Sequence, residues 1–253
     1  MSTREAVTLM GLPLDLVDVA KLHETIRRSI AEKRKSLILN LNIHCVNLAS
    51  RQPWLRDFLR EAALVFCDGD GVRLGLKLLG IDPPPKITYD RWIWQLAEFS
   101  DQNRYQLYFV GARPGVAEDA ARNLKNAFPG LQIAGTAHGY FQKEGEESEK
   151  LIHAINRVLP DILIVGFGMP LQEKWLFDNW HKIDARVFLT GGAVFDYASG
   201  RIKRAPEWMI RLHLEWLFRF LQEPRRLFGR YVWGIPYFFW TIFKEKLKGN
   251  KLE

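Results

Sequence analysis

Ala63-Leu64-Val65-Phe66-Cys67-Asp68-Gly69-Asp70-Gly71-Val72 is an apolar run that ends abruptly in two carboxylates separated by glycine. The leucines of the following Val72-Arg73-Leu74-Gly75-Leu76-Lys77-Leu78-Leu79 recur at helical spacing. The pattern is a buried strand, a glycine-rich turn and a helix, the unit from which parallel α/β sheets are built. Ligands of such sheets bind at the carboxyl ends of the strands, where glycine lets the backbone approach them closely. Asp68 and Asp70 stand at that position, and three uses are open to them. Asp70 can cap the helix and complement its dipole. Asp68, directly after the apolar run, can be a partly buried general base with a raised pKa. Together they can offer hard oxygen ligands to a divalent cation.

Working outward, the same alternation recurs. Val7–Met10 reads as a short strand, and Asp18 caps an amphipathic helix to about Lys33 with Val19, Leu22, Ile26 and Ile30 on one face. Leu37–His44 reads as a strand in which Asn40 and Asn42 share one face, suited to hydrogen bonding a sugar or base, or to closing a turn. His44 reads as structural. A helix over Pro53–Glu61 leads into the Asp68 strand, and Pro83-Pro84-Pro85 forces an extended loop before a helix carrying Trp92, Trp94 and Leu96. Strands at Gln106–Val110, Leu131–Ala134, Asp161–Val165 and Arg186–Leu189 then alternate with helices at Val116–Phe128, Glu146–Val158 and Leu171–Trp180. This is an α/β fold, a Rossmann-like parallel sheet with helices on both faces.

Composition bounds the function. With 253 residues and 47% apolar content the chain can bury a substantial core. Cys45 and Cys67 lie in or beside strand-type segments without metal-ligand spacing, so they read as small buried hydrophobes of a reducing compartment. No signal peptide and no membrane-spanning run is expected. The net charge of +7 is localised: residues 201–253 hold 12 basic and 5 acidic residues, whereas residues 1–200 hold 24 of each. The same tail carries 12 of the 32 aromatic residues. Two parts are therefore expected, a catalytic α/β domain over 1–200 and a helical basic and aromatic appendage over 201–253.

Gly111-x-x-x-Gly115 and Gly166-x-Gly168 each follow a strand, and each can bring a helix N-terminus against phosphate. Neither completes the Gly-x-Gly-x-x-Gly fingerprint, since position 171 is Leu, which weakens a dinucleotide oxidoreductase reading. Phosphate-loop, nucleophile-elbow and His/Cys metal motifs are missing from the sequence.

The second half carries a specific series: Gly166-Phe167-Gly168-Met169-Pro170-Leu171-Gln172-Glu173-Lys174-Trp175, Gly191-Gly192-Ala193-Val194-Phe195-Asp196, Lys203-Arg204-Ala205-Pro206-Glu207-Trp208 and Leu214-Glu215-Trp216-Leu217-Phe218-Arg219. With the Asp68-Gly69 turn and Gly139-Tyr140-Phe141, the chain from about Leu37 to Tyr231 resembles the bacterial WecG/TagA/CpsF glycosyltransferases. The resemblance implies an inverting, metal-independent enzyme that moves a sugar from a UDP donor to a polyprenyl-diphosphate-linked sugar at the cytoplasmic face of the inner membrane. It implies Asp68 as general base. A donor pocket would involve Asn40, Asn42, Gly69, Gly111, Tyr140, Gly166, Gly168, Gln172 and Asp196. The acceptor diphosphate would meet Lys86, Arg204, Arg211, Arg219, Arg226 and Arg230, because guanidinium offers a fixed fork of donors. Where the family commonly has Thr, Arg, Gly and an apolar residue, this chain has Asn40, Lys86, Tyr89 and Asp70. These departures leave the donor sugar open among N-acetylmannosamine, glucose and related hexoses, and keep a cation at Asp68 and Asp70 as the lesser alternative to no cofactor.

In the tail, Arg204, Arg211, Arg219, Arg226 and Arg230 approximate one cationic helical face. Tyr231–Phe243 is aromatic, interrupted by Gly234 and Pro236, and followed by Lys244, Lys246, Lys248 and Lys251. Rings flanked by lysines suit an anionic membrane surface, and the tail is expected to rest there as a peripheral device. Packing on the body or in a homo-oligomer interface is the alternative. Nucleic acid is not the expected partner, although a non-catalytic nucleotide- or nucleic-acid-binding module with a basic tail is the competing function.

Overall fold

The computed structural model describes residues 6–249. Lys251 and residues 1–5, on which part of the tail and leader expectations rest, lie outside the described residues. The strands are Ala6–Leu9 (β1), Leu12–Asp15 (β2), Ser36–Leu41 (β3), Leu64–Cys67 (β4), Gln106–Gly111 (β5), Gln132–Ala137 (β6), Ile162–Gly166 (β7) and Val187–Thr190 (β8). The helices of the body are Val19–Ala31 (α1), Ile43–Ala49 (α2), Pro53–Glu61 (α3), Asp70–Leu78 (α4), Tyr89–Asn103 (α5), Val116–Ala127 (α6), Glu146–Val158 (α7), Leu171–Asn179 (α8) and Val194–Ala198 (α9). Glu207–Arg211 (α10), Glu215–Gln222 (α11), Pro224–Phe228 (α12), a π-helical turn at Gly229–Trp233 and Gly234–Gly249 (α13) follow.

One eight-stranded sheet has the order β1-β2-β4-β3-β8-β7-β5-β6. All neighbours are parallel except β1 and β2, which form an antiparallel hairpin through Met10 and Gly11. β3 and β4 read as continuous apolar runs because both of their faces are covered. Leu37, Leu39, Leu41, Val65 and Cys67 join a core with α2, α3, α4, α7, α8 and α13. Ile38, Leu64 and Phe66 face a second core with α1, α5, α6 and α9.

Asp18 caps α1 as expected, accepting from Lys21 N at 2.8 Å. The strand expected over Leu37–His44 ends at Leu41, because Asn42 caps α2, its Oδ1 accepting from Cys45 N at 3.0 Å. Cys45 thus sits on a helix, and both cysteines are buried and free. The hairpin strand β2 was not expected; four residues containing Pro13 carry too little pattern, and pairing with β1 along their length and with β4 at Asp15 makes them a strand.

The tail does not present a single helical face. It turns at His213, where φ is 58°, and again before Pro224, so that Arg204 precedes α10, Arg211 and Arg219 lie on α10 and α11, and Arg226 and Arg230 lie on the helical run that begins at Pro224. Pro236 does not interrupt α13, in whose first turn it lies, directly after the π-helical turn at Gly229–Trp233. α13 packs on α2 and α4, with Phe238 and Ile242 buried in the sheet's core and Asn47 Nδ2 donating to Gly234 O at 2.7 Å. Its other side exposes Trp240, Phe243 and Leu247, and Trp233 at the end of the π-helical turn is exposed as well. Among the described residues, no helix is long and apolar enough to cross a membrane.

Candidate active site

A cavity of about 790 Å³ opens at the carboxyl ends of β3, β4, β7 and β8 and is roofed by the tail. Its size suits a small ligand or the reacting end of a larger one. Gly69, with φ of 83°, makes the sharp exit from β4 that an L side chain resists, and leaves Asp68 at the cavity wall. Asp68 N is bonded to Leu41 O at 3.0 Å, and a parallel bridge to Ile87 fixes the other side of its backbone.

The carboxylate is held by amides. Asn40 Nδ2 donates to Asp68 Oδ2 at 2.8 Å and Asn42 Nδ2 to the same oxygen at 3.2 Å. Thr190 Oγ1 donates to Asn40 Oδ1 at 3.3 Å, and the Asn42 carbonyl is taken by its capping bond, so both amides are oriented. Burial raises the pKa of Asp68 above the ordinary aspartate range, although the two amide hydrogen bonds and the Arg230 charge pull it down. A carboxylate so placed is a better proton acceptor than a solvated one. Tyr89 reaches the same cavity with a buried hydroxyl that has no hydrogen-bond partner among the described residues. Burial, then the charges of Asp68 and Glu173, keeps that phenol protonated.

Asp70 serves a different purpose. Gly69 is the cap residue of α4, and Asp70 in the first turn pairs with Lys86 at 2.6 Å, Arg73 at 3.2 Å and His213 at 3.1 Å. Partial burial works to raise its pKa, but the Lys86 ammonium, then the contact with His213, hold its carboxyl below the usual range. Asp68 thus spends one carboxylate oxygen, Oδ2, on two amides, whereas Asp70 is paired with Lys86 and Arg73. Among the described residues, no cluster of three or more His, Cys, Asp or Glu suits a metal ion.

Gln172 clamps the floor. Its Oε1 accepts from Gly168 N and Gly192 N, both at 3.0 Å, tying the loop after β7 to the loop after β8. Its Nε2 donates to Glu173 Oε1 at 2.7 Å. Glu173 is buried, its Oε2 has no hydrogen-bond partner among the described residues, and burial pushes its pKa up to about 7.

The tail supplies the positive charge. Arg204, Arg219, Arg226 and Arg230 all line the cavity. Arg204 pairs with Asp90 at 2.7 Å, while Arg219 and Arg226 share Glu223, the latter at 3.0 Å. Arg219 also lies over the Tyr197 ring, 5.4 Å from its centroid. Lys86 pairs with Glu215 as well as Asp70. Arg230 makes no ion pair among the described residues, and together with burial it depresses His44 to a pKa of about 4, keeping that imidazole neutral.

Five expected site residues lie outside the cavity lining: Gly111, Gly166, Tyr140, Asp196 and Arg211. Gly111 and Gly166 serve close strand packing; a Cβ on Gly111 would come within 2.3 Å of Gly166 O. Tyr140 follows the edge strand β6 and is 67% exposed, on a loop pinned by Lys143 Nζ donating to Gly139 O and Phe141 O. Asp196 is half-buried on α9, where burial raises its pKa against the charges of Arg219 and Arg226. Arg211 is exposed at the end of α10 because the His213 turn redirects the chain. The cavity lining adds Tyr89, His213 and Glu215 to the expected set, and Thr190 and Glu223 stand behind it, bonded to Asn40 and to Arg219 and Arg226. The hydroxyl of Tyr89 carries no sequence signal, whereas Thr190 ends an apolar strand directly before the Gly191-Gly192 turn, which marks the same edge as Asp68 does.

A buried carboxylate at a strand end, an oriented amide pair and a rim of guanidinium groups make a site that can take up a proton beside an anionic group. Comparison with known sequences specifies the class. The profile of the glycosyl transferase WecG/TagA/CpsF family matches residues 7–252, and the chain belongs to that glycosyltransferase family. A Bacillus spizizenii protein is 31% identical over 203 residues, covering 80% of this chain and 77% of its own. A Staphylococcus aureus protein is 27% identical over 252 residues, covering 99% of this chain and 97% of its own. Both are named N-acetylglucosaminyldiphosphoundecaprenol N-acetyl-beta-D-mannosaminyltransferase, as is a Bacillus subtilis protein that is 28% identical over 86% of this chain and 82% of its own.

Proposed function

We propose that this glycosyltransferase moves a hexose from a UDP-sugar to a polyprenyl-diphosphate-linked saccharide, inverting the anomeric carbon, in the assembly of a cell-surface polysaccharide. The relatives' names favour an N-acetylmannosaminyl donor group and an N-acetylglucosaminyl acceptor. Asn40, Lys86 and Tyr89 at the cavity keep glucose and related hexoses in the panel. The single observation that carries the reading is the Asp68 carboxylate, held by two amides at the cavity wall beneath the arginines of the tail.

In this mechanism Asp68 accepts the proton of the acceptor hydroxyl. The freed oxygen forms the bond to the anomeric carbon, and the bond from that carbon to the donor phosphate oxygen breaks, UDP leaving with the electron pair. One displacement inverts the centre. Arg219, Arg226 and Arg230 match diphosphate oxygens. With Asp70 already matched by cations, transfer needs no metal at this pair. The tail from residue 201 acts as the appendage that roofs the site through its described residues and sets the protein peripherally on the anionic inner face of the membrane, its exposed rings at headgroup level.

The experiment is transfer from a panel of UDP-sugars to synthetic polyprenyl-diphosphate sugars, with EDTA and Asp68→Asn as parallel arms. Turnover that survives EDTA and collapses in Asp68→Asn supports the reading and identifies the donor. Absence of transfer with every pair, from folded protein, favours a binding module. Loss with EDTA alone makes Asp68 and Asp70 metal ligands.

A further inference from the structure

The cavity has chemically distinct walls. One carries Asp68, Asn42, Gln172 and the arginines; another is apolar, made of Ile43 at the start of α2, Leu74 on α4, and Val232, Ile235, Pro236 and Phe239 on the π turn and α13. Packing of α13 on α2 and α4 brings these side chains together. Ile43 and Phe239 also pack against the core, but Leu74 and Val232 do not serve it: α4 buries Val72, Gly75 and Leu76 inward, while Leu74 is 50% exposed and Val232 40% exposed.

The apolar wall continues from the cationic one along a single helical rod. Arg226 and Arg230 come first, then Val232, Ile235 and Phe239. At 1.5 Å rise per residue, Arg230 to Phe239 is about 14 Å. A rim of guanidinium groups leading into an apolar track is complementary to an amphiphile with a diphosphate head and a hydrocarbon chain. A nucleotide or a sugar gains little from Leu74, Ile235 and Phe239, whereas each hydrocarbon group removed from water there stabilises the complex.

We infer that this wall is a subsite for the first isoprene units of the acceptor lipid, which the protein lifts from the bilayer rather than meeting only at its headgroup. The subsite rests on the acceptor reading given above. It makes the lipid chain a determinant of affinity even without a membrane.

The test is calorimetric binding of pyrophosphate, dimethylallyl diphosphate and farnesyl diphosphate to the full chain, without vesicles or detergent. The expected order is farnesyl tightest and pyrophosphate weakest, with a gain of about tenfold or more for the first unit. Leu74→Gln and Val232→Gln, both at exposed positions, are expected to remove that gain while leaving pyrophosphate affinity unchanged. Equal affinity for the three ligands overturns the inference, as does failure of all three to bind or a gain that persists in both variants. Normal sugar transfer with equal affinities sinks the subsite alone. A chain-length gain without transfer from any UDP-sugar sinks the transferase reading and leaves the subsite standing.

Discussion

Asn40 and Asp68, on neighbouring parallel strands, are joined by a 2.8 Å hydrogen bond from the amide Nδ2 to the carboxylate Oδ2. A hydrogen bond to the ionised form lowers a carboxyl pKa, so this contact opposes the rise that burial imposes. Asn40→Leu is therefore expected to raise the Asp68 pKa further. The acid limb of the kcat/KM profile for transfer moves to higher pH, with little change on the alkaline side. Asp68→Asn is expected to lower kcat by about 10² to 10⁴-fold while leaving the circular dichroism spectrum unchanged. An unmoved acid limb in Asn40→Leu would show that the limb belongs to another group.

Gln172 holds two backbone N–H groups, at Gly168 and Gly192, that have no other partner among the described residues. Gln172→Leu keeps the volume and removes the acceptor, at a cost of roughly 2 to 4 kcal/mol. Thermal unfolding is expected to fall by about 5 to 15 °C. Donor KM is expected to rise as the two loops part. Scanning calorimetry and initial-rate kinetics check the pair of effects.

Glu173 ties stability to pH. Its pKa is pushed from 4.5 to about 7 by burial, so the folded protein holds a proton that the unfolded chain has released. Stability conferred by the neutral carboxyl is complete below pH 4.5, declines as pH rises through about 7, and is flat above. Glu173→Gln, which keeps an acceptor for Gln172, is expected to remove this decline and to be more stable at pH 8 by up to about 3 kcal/mol. Urea titrations at pH 5 and pH 8 measure it.

Gly75 lets α13 sit on α4. A Cβ there would meet Phe238 Cζ at 2.8 Å. Gly75→Ala is expected to lift the tail helix at a cost of about 1 to 3 kcal/mol, and to speed amide exchange in α13 more than in the strands. Transfer falls with it, because Arg226 and Arg230 lie on the same rod.

Trp233 and Trp240 are 72% and 56% exposed. Trp233→Ser combined with Trp240→Ser is expected to reduce cosedimentation with vesicles containing anionic lipid by about tenfold or more, with no loss of thermal stability. Raising salt weakens the remaining binding, as lysine contacts to lipid are screened. Unchanged sedimentation would move the membrane contact elsewhere on the protein.

Much of the fold was legible because it rests on local pattern. Asp18 announces α1, Pro53 opens α3, and the apolar runs of β3, β4, β7 and β8 alternate with amphipathic helices at the spacing of a parallel sheet. The Asp68 turn was legible for the same reason: a strand with both faces buried must end where a carboxylate appears. The short β2 and the hinge at His213 were not, since pairing with β1 and β4 and the packing of the tail create them.

The sequence by itself determined the α/β class, the concentration of charge and aromatic rings in the last fifth of the chain, and Asp68 as the residue at the strand end. Tertiary structure alone decided what surrounds that carboxylate. Asn40 and Asn42 turn to it because parallel pairing sets β3 beside β4, and Glu173 is buried because Gln172 must bridge two loops. The tail's arginines reach the cavity because successive short helices fold back over it. Periodicity records which face of an element is apolar, but which elements meet depends on contacts between residues far apart in the chain, such as Gly75 with Phe238 and Asn47 with Gly234.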